Sequence, residues 1–85
     1  MTPEQFAAAG RALFGPLYKT PLARALGNEP RTVRRWADGS FPIADGVRDD
    51  LIRLLTARGI EIEEVLGDFA AEAESAGPGE GTING

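Results

Sequence analysis

The sequence predicts an all-α chain of five short helices followed by a disordered tail. Apolar residues recur at intervals of three and four, prolines stand where helices start, and glycines stand where they stop. One stretch alternates as a strand would, Ile60-Glu61-Ile62-Glu63, and it reads either as an extended lead-in or as part of the last helix.

Thr2-Pro3-Glu4-Gln5 opens the first helix. It offers an N-cap, a proline at the first helical position and a glutamine placed to complete a capping box. Phe6, Ala9, Leu13 and Leu17 follow on one face, and Gly15-Pro16 ends the helix after about Phe14. Thr20-Pro21 repeats the start signal for a second helix carrying Leu22, Ala23 and Leu26 inward and stopping at Gly27. Pro30 starts a third, which carries Val33, Trp36 and Ala37 inward until Asp38-Gly39 breaks it, and Ser40-Phe41-Pro42 is a loop. Val47, Leu51, Leu54 and Leu55 mark a fourth helix ending at Arg58-Gly59, with Asp45 as its expected cap. Ile62, Val65, Leu66, Phe69 and Ala73 mark a fifth. Residues 76–85 hold four glycines and Pro78 without apolar periodicity, so the domain is expected over 1–75 and the disordered tail over 76–85.

Composition narrows the function. The 85 residues suffice for one domain, and the absence of cysteine and histidine removes disulfides, thiol nucleophiles and imidazole bases. No enzyme activity, metal or other cofactor is expected. No apolar run approaches the roughly 18 residues of a membrane span, and the start lacks a signal-peptide pattern, so a cytoplasmic protein with no membrane partner is expected.

The net charge of -4 would argue against nucleic acid, but charge is sorted along the chain. Residues 1–37 carry six basic side chains against Glu4 and Glu29, a balance of +4, whereas residues 38–85 carry three against eleven, a balance of -8.

The segment Lys19 to Gly39 holds two short helices meeting at Gly27. Ala23 stands four residues before that glycine, where a larger side chain would obstruct helix packing, and Val33 and Trp36 stand six and nine residues after it. This spacing resembles the helix-turn-helix of the Cro and phage-repressor-like (XRE-type) DNA-binding regulators, tightly over about residues 19–39 and more loosely in the flanking helices.

The third helix can be drawn independently at about 100° per residue with Val33 at zero. Trp36 then falls at about 300° and Ala37 at about 40°, while Arg31 and Arg35 fall at about 160° and 200°, flanked by Arg34 and Thr32. One arginine on a helix face is ordinarily just solvated. Three with a threonine and no acid between them, on the second helix of such a motif, point to DNA. A guanidinium fork matches O6 and N7 of guanine or the oxygens of a phosphate. Arg31, Arg35 and Thr32 are the expected base readers, and Arg34 is expected on the backbone. The resemblance implies that Lys19 and Thr20 at the start of the first motif helix, and Ser40 with its backbone N–H in the following loop, clamp phosphates. Trp36 is assigned to the core. Arg11, Arg24 and the acidic groups around Asp49 and Glu63 are assigned to solvated faces, and Tyr18 either donates to a phosphate or covers the turn.

One module makes few contacts for specific binding, so two copies on half-sites about 34 Å apart are expected. The fourth and fifth helices, about residues 44–75, would supply dimerisation, with Ile62, Val65, Leu66 and Phe69 as its stripe; the same stripe would serve equally to close the monomer core. The expectation is a homodimeric, sequence-specific regulator of double-stranded DNA, in the style of phage or mobile-element repressors, regulators accompanying anti-CRISPR genes, or self-regulating antitoxins. The alternative is an antitoxin- or inhibitor-type module that binds a toxin or other protein through its acidic last helices.

Overall fold

The computed structural model describes residues 1–76 and is all-helical, with four helices in place of the expected five: α1 (Pro3–Phe14), α2 (Lys19–Leu26), α3 (Pro30–Ala37) and α4 (Val47–Ala76). The tail expected over 76–85 lies, after Ala76, outside the described residues.

α1 starts as its sequence requires. The Thr2 hydroxyl accepts from the Gln5 N–H and the Gln5 side-chain oxygen accepts from the Thr2 N–H, both at 3.0 Å, which satisfies two N-terminal donors reciprocally. Gly15, at φ 83°, ends the helix. The helical spacing therefore does not reach Leu17, which is 86% exposed, contrary to expectation. Tyr18 goes inside instead, its ring lying against Gly10, where an added Cβ would overlap it. α2 begins at Lys19, before the expected Thr20, with Tyr18 in the cap position and no side-chain cap bond.

The core joins Phe6 and Leu13 of α1, Tyr18 before α2, Leu22 and Ala23 of α2, Val33 and Trp36 of α3, and Val47 and Leu51 of α4. Phe6, Leu22, Ala23 and Val33 are fully buried. The Trp36 ring meets Phe6 edge-on at 5.8 Å and 85°, a geometry that aims the positive ring edge at a negative face. Ala37 is half-buried and packs against this core.

The expected fourth and fifth helices are one. Gly59 is not among the positive-φ glycines, so it continues the helix where the sequence suggested a stop, and residues 60–63 are helical. Arg58 does not end the helix but ties it down, donating from Nη1 to the Leu13 carbonyl at 2.5 Å and lying 5.6 Å from the Phe14 ring centroid. That bond satisfies one of the last carbonyls of α1, which has no partner within its own helix. Asp45 is not the cap: Gly46 immediately precedes the helix, and Asp45 sits in the turn closed by Val47 N–H to Ala44 O. Beyond Gly59, residues 60–73 are exposed, and the molecule extends 57 × 21 × 20 Å.

Candidate nucleic-acid interface

α2 and α3 meet at a turn built by backbone chemistry. Gly27 adopts left-handed angles (φ 73°, ψ 30°), and the Asn28 N–H returns to the Ala23 carbonyl at 2.8 Å. A side chain at Gly27 would be strained, so the turn needs glycine there. Ala23, fully buried, admits the close approach of the two helices. Beyond the turn, the Glu29 carbonyl accepts from Thr32 and Val33 N–H, and Pro30 fixes the first helical angle.

This frame sorts α3 by face. Val33 and Trp36 are buried, Thr32 is half-buried, and Arg31, Arg34 and Arg35 are exposed. Lys19 and Thr20 are exposed at the start of α2. The cations expected to meet base edges and phosphates therefore occupy outward positions on two packed helices, and Trp36 lies behind them in the core. Arg11 and Arg24 are exposed, whereas the buried Tyr18 covers the turn before α2.

Two neighbours of this face are given no part in the site by the sequence, where they read only as a loop residue and a helix break. Phe41, 51% exposed, lies beneath Arg35, with the guanidinium carbon 4.7 Å from the ring centroid. Such stacking holds a cation over the negative ring face and leaves its N–H edge available. The second neighbour is Asp38. Its carboxylate accepts from the Ser40 N–H at 2.9 Å and the Ser40 hydroxyl at 2.5 Å. Ser40 thus gives to Asp38 the backbone N–H expected to hold a phosphate.

Asp38 ionises below its ordinary value of 3.8, first because of the Ser40 hydroxyl and then the Ser40 N–H, with smaller help from the positive charges of Lys19 and Arg35. An acid therefore borders the arginine face, although no acid lies among the exposed residues of α3 itself. The Asp38-Gly39-Ser40 order was the available signal, since aspartate commonly caps a turn by bonding the N–H two residues on.

No family model, curated protein or solved structure matches the chain. Ile62, Val65, Leu66 and Phe69, whose sequence reading left core and dimer roles open, are 51–64% exposed and do not close the core of the described chain. Among the described residues, no helix is long and apolar enough to cross a membrane.

Proposed function

We propose that this protein is a sequence-specific, double-stranded DNA-binding regulator that inserts α3 into the major groove as one half of a homodimer. The observation that carries the reading is the division of α3: Val33 and Trp36 anchor one face while Arg31, Arg34 and Arg35 project from the other. Arg31 and Arg35 read bases, Thr32 contacts a thymine methyl or a phosphate at the edge of that face, and Arg34, Lys19 and Thr20 hold the sugar-phosphate backbone. The acidic second half of the chain weakens non-specific attraction and turns the basic half toward DNA. Occlusion of a promoter, hence repression, is the regulatory outcome we propose for such a protein. Selection from a genomic DNA library tests the proposal: recovery of an inverted repeat supports it, and no enrichment at low salt rejects it.

A second reading draws support from the exposed acidic end of α4, which carries Glu61, Glu63, Glu64, Asp68 and Glu72. In that reading the protein is an antitoxin- or inhibitor-type module engaging a basic protein. It requires substitutions in α4 to destroy activity while Arg31 and Arg35 remain dispensable.

A further inference from the structure

The fusion of two expected helices into α4 puts distant apolar residues on one line. Ile52, Leu55, Gly59, Ile62, Leu66 and Phe69 follow one another at alternating steps of three and four, and Ala73 extends the series. That is a heptad seam, the pattern with which helices supercoil around one another. Its first part borders the groove between α1 and α4, beside Gln5 and Ala9, and Ile52 is 44% exposed there. Its second part stands clear of the domain, with Leu66 61% and Phe69 64% exposed.

We propose that a second copy of this chain lies antiparallel along the seam. The proposal deepens the homodimer reading above and rests on it for the partner's identity.

Residue volumes choose the direction. Run antiparallel, the seam sets Ile62 against Leu66 of the second copy, Gly59 against Phe69, and Leu55 against Ala73. Gly59 has open space where a Cβ would stand, so the smallest residue of the seam faces the largest, once on each side of the two-fold axis. Ala73 comes over the groove next to α1, where Leu55 is half-buried. A parallel pair would instead stack Phe69 on Phe69 and leave a gap between two glycines, and core packing penalises both.

Charge agrees. The antiparallel register brings Arg58 beside Glu72 of the second copy, at both ends of the pair. Arg58 uses Nη1 for Leu13 and Nε for Glu61, at 3.3 Å, which leaves Nη2 for a further acceptor. At about 100° per residue, Glu61, Glu64 and Asp68 fall on the far side of α4 and stay in water. Glu63 faces its own counterpart at the solvent edge, an unfavourable pair.

Because the chain has no cysteine, single cysteines report the geometry directly. Ile62→Cys and Leu66→Cys replace exposed side chains outside the core, so both variants retain the fold, which circular dichroism verifies. An oxidised equimolar mixture gives a disulfide-linked heterodimer at about ten times the yield of either variant alone, because only facing positions bring Cβ atoms within bonding range. Sedimentation without DNA gives a dimer whose dissociation constant rises about tenfold or more in Phe69→Ala. Efficient crosslinking of each variant with itself overturns the antiparallel arrangement. A monomer at every concentration overturns the pairing altogether. Neither result depends on whether the protein binds DNA, so failure of the pairing and failure of the DNA-binding reading are read separately.

Discussion

The Arg35 guanidinium rests on the Phe41 ring, its carbon 4.7 Å from the centroid, so a residue of the loop after α3 fixes the direction of a side chain on α3. Phe41→Ala leaves the fold intact, because the ring is half exposed and outside the core. It weakens operator binding by about 0.5–1 kcal/mol through the loss of this stacking. Fluorescence anisotropy at fixed salt checks it, and unchanged affinity would remove Phe41 from the interface.

Arg31→Ala and Arg35→Ala each cost about 1–3 kcal/mol on the operator and relax preference at one base position per half-site. Lys19→Ala weakens all sequences alike and lowers the salt slope by about one unit. Titrations on a set of single-base operator variants separate the two behaviours; identical profiles for all three substitutions would refute the division of roles.

Asp38 titrates below its ordinary value of 3.8 because its charged form accepts both bonds from Ser40. A lowered folded value means that its contribution to stability is complete above the unfolded value and is lost as the pH falls through the folded one. Neutral solutions therefore keep the two bonds from Ser40 at full strength, and strong acid weakens them. Carboxyl chemical shifts followed by NMR should place the Asp38 midpoint below 3.8 and abolish the depression in Ser40→Ala; a midpoint at or above 3.8 contradicts the geometry.

Gly10→Ala destabilises the protein, although alanine inside a helix ordinarily stabilises by about 1 kcal/mol over glycine. The added methyl would overlap the Tyr18 ring, most closely at Cδ2, and that ring is buried. Overpacking of this kind costs about 1–3 kcal/mol. Urea unfolding decides the sign.

Arg58→Ala lowers stability by about 1–2 kcal/mol by leaving the Leu13 carbonyl without its charged donor. Arg53→Ala serves as a control: Arg53 pairs with Asp50 at an exposed site, where an ion pair is worth about 0–0.5 kcal/mol. Equal effects for the two would show that Arg58 does not anchor α4 to α1.

Where structure follows from local signals, the sequence could be read closely. The Thr2–Gln5 capping box, Gly15, Gly27 and Pro30 set the bounds of α1, the turn and α3, because caps and left-handed glycines act within a few residues. The outward arginines followed from helix geometry alone. The misreadings do not share one cause. Gly59 resembles a helix stop, yet the helix passes through it beside an arginine fastened to Leu13, 45 positions earlier. Leu17 fits the spacing of α1, but the chain turns at Gly15 before reaching it. Asp38 and Phe41 take their places after α3 has ended, where helical spacing no longer says what a side chain meets.

The chain's single tryptophan stands directly behind the exposed arginine face of α3, packed edge-on against Phe6 and 5% exposed. Its emission is thus an intrinsic signal of the folded core, shielded from quenching by the bases that the proposed function places on the opposite side of α3. Unfolding can be followed through that one indole while a label on the nucleic acid follows binding, so a variant that loses its fold is distinguished optically from one that loses only its grip.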